Sequence, residues 1–465
     1  MATSVRALRR RAPAIHRRVR GAATRSGGRV RQFLKSRPWW QTTLLVIGFV
    51  TVVTVFGSLI LGLDDKPDQV TLSAPIGPVG SREFLSTVSR TVGAAVEHGG
   101  HVTVLNNGDE FLPALLDSIG QARRTINFSV FMWNDGEFSD RVLAALLERQ
   151  QHGVTVRVLL DTVGAIAARD AAFEPLKAAG GRVGKFRTPA IGSWTRVHRR
   201  NHRRAIVIDG RVGFTGGAAV KDTWLGHAQS PDHWRDVMFK VTGPMAASLQ
   251  GAFADAWASA ASEILSGPEM YPDASAEPAG EGTTPFIHLI NSPAPDDQSM
   301  AYFHLLPVLA ARERISIVTP YFIPDDPLKR ALIDQARQGL DVRLLLPGKH
   351  IDNTLNRWSA QTDYDDLLSA GVRIFEYQPT FIHSKVAIFD GRWSVFGSPN
   401  LNSRSRHLDE ENAFGVFDSR LGQELEEMFA ADLRRSQEIK LDDWRKRSIF
   451  GRFLEWMSTI LDEQS

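Results

Sequence analysis

The chain has 465 residues, 43% hydrophobic and 23% charged, the make-up of a folded protein too long for one ordinary core, so two domains are expected. It contains no cysteine, which excludes disulfides, thiolate metal sites and cysteine nucleophiles. The net charge of +3 is uneven: twelve Arg and Lys and no acid lie between Met1 and Pro38, leaving 43 basic against 52 acidic residues elsewhere, and such a body argues against nucleic acid as a partner.

The first predicted elements are a basic tail over 1–37 and an uncharged run over 38–63, long enough to span a bilayer with some tilt. Trp39 and Trp40 stand where an interfacial aromatic belt would, and Asp64 and Asp65 close the far end. The arginines before the run predict a single-pass cell-membrane protein with a cytoplasmic N-terminus and an extracytoplasmic body. The acid-free start also resembles a mitochondrial presequence, so the mitochondrial inner membrane is the alternative. Residues 64–95 read as a tether.

Beyond the tether the order of elements repeats. PALLDSIGQARRTINFSVFMW and HLLPVLAARERISIVTPYFI each offer a helix and then a buried strand, and ALLERQQHGVTVRVLLD matches LIDQARQGLDVRLLLP. HRRAIVIDGRVGFTGG aligns without a gap on HSKVAIFDGRWSVFGS. Helices alternating with short β-branched runs predict an α/β fold: two repeated lobes, over 96–266 and 286–436, each a mixed sheet flanked by helices, about a pseudo-two-fold. Residues 267–285 read as the inter-lobe linker, and 437–465 as an amphipathic C-terminal helix able to lie on a bilayer or dock on the lobes.

Each copy carries a histidine and, two residues on, a cation: His202 with Arg204, and His383 with Lys385. On extended backbone such pairs share a face. Two imidazoles and two cations around one pocket suit phosphodiester chemistry. One neutral ring attacks phosphorus, the other exchanges a proton with the leaving and accepting alcohols, and the cations stabilise the non-bridging oxygens. The sequence offers no convincing metal cluster, and no cofactor or obligate protein partner is implied.

H-x-K-x-x-x-x-D, present twice with Asp209 and Asp390 as the closing acids, resembles the phospholipase D signature. GSPNLNSRS at 397–405 resembles that superfamily's continuation, while PYFIP at 320–324 and Trp234-Arg235-Asp236 resemble elements of bacterial cardiolipin synthases. The resemblance implies His202 as nucleophile and His383 as general acid and base. It implies Arg204 and Lys385 as phosphate ligands, with Ser398 and Asn400 as neutral donors beside them. Asp236 and Glu411 match acids that hydrogen-bond the histidines, and Asp209 and Asp390 are read as braces at the strand ends. The implied activity is transfer of a phosphatidyl group, with phospholipids (phosphatidylglycerol first) and the bilayer as partners. A phospholipase D-type hydrolase and a degenerate membrane-tethered binding protein stay open. Two positions depart from the pattern: Arg204 replaces the usual lysine, and Ala219 stands where an asparagine is usual. Arg196, His198, Arg199, Arg200 and Arg203 read equally as a cationic mouth or a solvated loop. Phe381, Ile382 and Trp194 read as core, or as the lining of an acyl-chain entrance.

Overall fold

Among the described residues, sixteen short strands follow from the β-branched runs. In chain order they are β1 (Val96–His98), β2 (His101–Asn106), β3 (Thr125–Val130), β4 (Thr155–Asp161), β5 (Arg182–Phe186), β6 (Ala205–Ile208), β7 (Val212–Gly216) and β8 (Val237–Thr242). The second series is β9 (Pro285–Asn291), β10 (Arg314–Val318), β11 (Asp341–Pro347), β12 (Arg373–Tyr377), β13 (Val386–Phe389), β14 (Trp393–Gly397), β15 (Glu411–Phe417) and β16 (Ser436–Ile439). The computed structural model describes residues 70–186, 199–272, 284–292 and 297–446, with a few single positions besides. The basic tail, the expected membrane span apart from such positions, residues 273–283, Trp194, Arg196, His198 and the chain beyond 446 lie outside the described residues. Among the described residues no helix is long and apolar enough to cross a membrane.

The strands form two sheets. One runs β2-β8-β7-β6-β3-β4-β5, and the other runs β1-β9-β15-β14-β13-β10-β11-β12-β16. Stripped of β1 and β16 at its edges, the second repeats the first strand for strand. In each, three parallel strands sit beside antiparallel ones, with β3 paired to β4 in parallel and to β6 antiparallel. The central strands are covered on both faces: all six residues of β3 are buried, the polar Thr125, Asn127 and Ser129 included.

The DG turns do two jobs. Asp209-Gly210 and Asp390-Gly391 take positive φ at both residues, the geometry that joins β6 to β7 and β13 to β14 by a tight primed turn. The Asp209 carboxylate accepts from the backbone N–H groups of Arg123, Arg124 and Thr125 at 2.7–2.9 Å, and Asp390 does the same for Arg312, Glu313 and Arg314. Each acid thus ties the hairpin to the start of its neighbouring parallel strand, far from the histidine of its own motif.

The sheets meet face to face. Phe239 of β8 stacks on Phe396 of β14 at 3.9 Å, within one buried apolar cluster that takes Val207 and Val241 from the first sheet and Ile388 and Val416 from the second. Full burial of such side chains is worth about 1.5–3 kcal/mol each, and it fixes one sheet against the other.

Three local expectations change. The tether contains a helix, Arg82–Val92, capped by Ser81 and stopped by Gly93 at φ 72. Its Phe84 meets Trp393 edge-on at 5.0 Å, so an amphipathic pattern hidden among Gly, Pro and Ser is enough to pull it onto the second sheet. β1, assigned to the first lobe, pairs with β9 of the second sheet. Of the segment expected as a C-terminal helix, residues 437–439 belong to the edge strand β16 against β12, and Leu441–Arg445 behind it is helical. The described residues from Val70 to Lys446 fold as one compact unit.

Candidate active site

His202 and His383 stand just before β6 and β13, where each strand emerges towards the other sheet. The backbone holds both by the same reciprocal device. His202 donates its N–H to the Glu410 carbonyl at 2.9 Å while Glu410 donates to Arg200; His383 donates to the Arg235 carbonyl at 2.7 Å while Arg235 donates to Phe381. Both residues are buried, at 7% and 5% exposure.

The acids cross over. His202 Nδ1 lies 2.9 Å from Glu411 Oε1, and His383 Nδ1 lies 2.9 Å from Asp236 Oδ2, so each ring is held by a carboxylate from the opposite sheet. Those carboxylates are held in turn. Ser405 Oγ donates to Glu411 at 2.7 Å and Ser398 Oγ donates to it as well; the Trp224 indole N–H donates to Asp236 at 2.8 Å. Residue 217 has to be glycine, because a Cβ there would sit 2.2 Å from Asp236 Oδ1.

The cations complete the group. Lys385 Nζ donates to the His383 carbonyl at 2.9 Å and lies 3.1 Å from both ring nitrogens. Arg204 donates to the His202 carbonyl at 2.6 Å and to the Ala218 carbonyl at 3.4 Å, and its guanidinium lies 5.9 Å above the Phe131 ring. Both cations are buried.

Burial, then the Arg204 charge, push His202 down to about 4 against the pull of Glu411. Burial, then Lys385, push His383 down to about 3 against Asp236, and Arg204 is felt there too. Lys385 is itself pushed down to about 7, by burial and by Arg204 against the pull of Asp236 and Glu411. Burial opposes the charge on the two acids, but their imidazole partners and the neighbouring donors hold both below the usual carboxylate range. Both rings are therefore neutral near pH 7. A carboxylate only accepts, so each ring donates from Nδ1 and keeps the lone pair of Nε2. With both rings neutral, the cations Arg204 and Lys385 are balanced by the carboxylates Asp236 and Glu411. A phosphodiester anion arriving there adds negative charge and makes protonation of one ring easier.

His202, His383, Arg204, Lys385, Asp236 and Glu411 come together as the sequence implied; Asp209 and Asp390 do not join them. Ser398 turns to Glu411. Expected as a donor to phosphate, it donates its hydroxyl to that acid here and so orients it. Asn400 is buried with its Oδ1 unpartnered, and its backbone N–H donates to Ser405. Arg203 is neither mouth nor solvated loop. It is fully buried and donates to Ala252 O, Asp255, Asn291 O and Ser292, tying the two sheets together. Phe381 and Ile382 are core, at 2% and 0% exposure. Trp224 and Phe131 were missed; Trp224 lies outside the aligned stretches and Phe131, within one, carries no polar chemistry, so only the fold reveals them. Among the described residues no group of three or more His, Asp or Glu is placed to hold a metal ion.

Residues 115–249 and 308–433 match the family described as "Cardiolipin synthase, PLD-like domain". Cardiolipin synthase 1 of Bacillus cereus is 32% identical over 361 residues, covering 76% of this chain and 70% of that protein. Cardiolipin synthase A of Pseudomonas fluorescens is 35% identical over 348 residues, covering 74% and 71%. A phosphatidylserine synthase from Haemophilus influenzae has the same fold, with a TM-score of 0.63 at 15% identity over 82% of this chain and 96% of that one. The fold is thus that of phospholipase D-like enzymes. The chain belongs to the cardiolipin synthase family within that class, a family of phosphatidyltransferases.

Proposed function

We propose that the enzyme moves the phosphatidyl group of phosphatidylglycerol to a hydroxyl of a second phospholipid through a phosphohistidine. The observation that carries this reading is the crossed pair of imidazole–carboxylate hydrogen bonds, with both rings coupled to the same two cations. His202 Nε2 attacks phosphorus and the bond to the headgroup oxygen breaks in line. His383, protonated once the anionic phosphate is bound, gives its proton to the departing glycerol. The acceptor hydroxyl then enters where glycerol left, gives its proton to His383, and displaces His202. Arg204 and Lys385 stabilise the equatorial oxygens, and Asp236 and Glu411 fix each ring's tautomer. Asp209 and Asp390 brace the fold, and Asn400 is offered as a further phosphate ligand.

The same reading gives the chain a basic cytoplasmic tail over 1–37 and a single span over 38–63. A linker follows over 64–95, then lobes over 96–266 and 286–436 joined by 267–285, and an interfacial segment over 437–465. The active site would face the extracytoplasmic leaflet, served by lipid substrates without nucleic acid.

Purified full-length enzyme in phosphatidylglycerol vesicles is expected to release glycerol and form cardiolipin, as read by mass spectrometry, with both lost in H202A. Phosphatidic acid as the main product would move the assignment to a hydrolase. Headgroup release undiminished in H202A would end the histidine mechanism.

A further inference from the structure

The two halves of the site match in their chemistry but differ in their walls. The sheet registers pair Gly216 with Met238 and Gly397 with Ala413, which makes Trp234 the counterpart of Asp409. The aligned histidines make Phe381 the counterpart of Arg200, and the bridges Trp133–Val220 and Phe322–Leu401 make Tyr321 the counterpart of Met132 and Trp224 that of Ser405. At these places His202 therefore has Arg200, Asp409 and Ser405, with Phe131 its one neighbouring aromatic among the described residues, 4.8 Å away between ring centres. At the corresponding places His383 is ringed by aromatics: Trp224 at 5.4 Å, Phe381 at 5.5 Å, Trp234 at 5.6 Å and Tyr321 at 6.5 Å between ring centres.

At the Tyr321 side this wall carries a pair of polar groups. Tyr321 Oη donates to Asp352, 2.7 Å from each carboxylate oxygen. Tyr321 follows β10 and Asp352 follows β11, adjacent parallel strands whose carboxyl ends face the site. Tyr321 is half-buried and Asp352 is exposed, so the pair lies at the edge of the aromatic wall, and the charge of Asp352 is felt at Lys385. Burial, reinforced by Asp352, keeps the phenol protonated and donating. Its oxygen then retains lone pairs, as does the carboxylate. The pair thus offers acceptors on the side where His383 meets the departing and the entering alcohol.

We propose that Tyr321 and Asp352 form a diol-reading subsite beside His383, accepting hydrogen bonds from the free hydroxyls of a glycerol headgroup. In the first half-reaction these are the hydroxyls of the leaving glycerol; in the second, the remaining hydroxyl of the acceptor's headgroup. The aromatic ring around His383 gives water few hydrogen-bonding partners in the same space, so the wall and the pair together select a polyol over water. The proposal rests on the phosphatidyltransferase reading above.

The test uses full-length enzyme and vesicles of dioleoyl phosphatidylglycerol, dioleoyl phosphatidylpropanol, which lacks the diol, or dioleoyl phosphatidylethanolamine, whose ammonium a carboxylate also binds. The wild type is expected to release glycerol with a kcat/KM roughly tenfold or more above that for propanol, the scale of one hydrogen bond to a charged group. D352N and Y321F are expected to bring that ratio to within about threefold, and to raise the share of phosphatidic acid among the products. A ratio that stays at the wild-type value in both variants overturns the subsite, and so does loss of selectivity confined to phosphatidylethanolamine. Because Asp352 is exposed, D352N should keep the wild-type thermal transition, and an equal fall on all three lipids with that transition intact also counts against the proposal. A wild type that releases no glycerol at all would instead sink the function proposed above.

Discussion

Glu411 reaches across from the second sheet to His202 of the first, and Asp236 returns the contact to His383, both at 2.9 Å. Neither sheet alone contains a complete imidazole–carboxylate pair. The active unit is the interface, and mutations of the acids act through the rings that they orient.

E411Q and D236N keep the shape but remove the charge that stabilises an imidazolium. Each is expected to lower kcat about 10²-fold or more, on the scale of general acid–base contributions, with the folded state retained by circular dichroism. Ser398 and Ser405 both donate to Glu411, so S398A is expected to lower kcat by a smaller factor and to leave KM near its wild-type value.

Lys385, pushed down to about 7, gives kcat/KM an alkaline limb. As pH rises through about 7 the ammonium loses its proton and phosphate binding weakens, so kcat/KM falls. K385R stays charged, and a pH–rate profile of K385R is expected to lack that limb while its maximum is lower.

Stability should depend on pH in the opposite sense. His202, His383 and His288 are buried and pushed down to about 4, 3 and 3, below the value near 6.5 of an unfolded chain. Between about 6.5 and 4 the unfolded state binds protons that the folded state refuses, so stability is full above 6.5 and declines below it. His288 stacks on Phe414 at 3.9 Å, which lets H288F keep the packing, and its Tm is expected to decline less steeply over that window than the wild type's.

Arg204 tests the departure from the usual lysine. Its guanidinium donates to two backbone carbonyls, and a lysine reaches one at best. R204K is expected to keep activity within about tenfold, and R204Q to lose about 10²-fold or more, the size of one lost transition-state donor. R204Q also removes the charge that depresses His202, so the acid limb of its profile moves to higher pH.

Much of this was legible in the chain because duplication prints a site twice. The aligned motifs point to both histidines and both cations, and the resemblance to the family adds the acids Asp236 and Glu411. What stayed hidden depends on long-range packing. Nothing local says that Ser398 turns to Glu411, that Arg203 is buried between the sheets, or that β1 joins the second sheet. The need for glycine at 217 comes from Asp236, nineteen residues further on in the sequence. The helix over 82–92 was passed over because its flanks are rich in Gly, Pro and Ser, although its apolar spacing was present. G217A, which drives a Cβ into a buried carboxylate, is expected to cost about 1–3 kcal/mol.

The central claim is that His202 forms a bond to the phosphorus that His383 serves. Full-length H383A, mixed with a p-nitrophenyl ester of phosphatidic acid whose leaving group needs no proton, is the direct test, with intact-protein and peptide mass spectrometry after a rapid denaturing quench at high pH. The predicted result is one phosphatidyl adduct per chain on His202, absent from the H202A/H383A double variant. An adduct on another residue, or a burst of p-nitrophenol from the double variant equal to that of H383A, would contradict the mechanism.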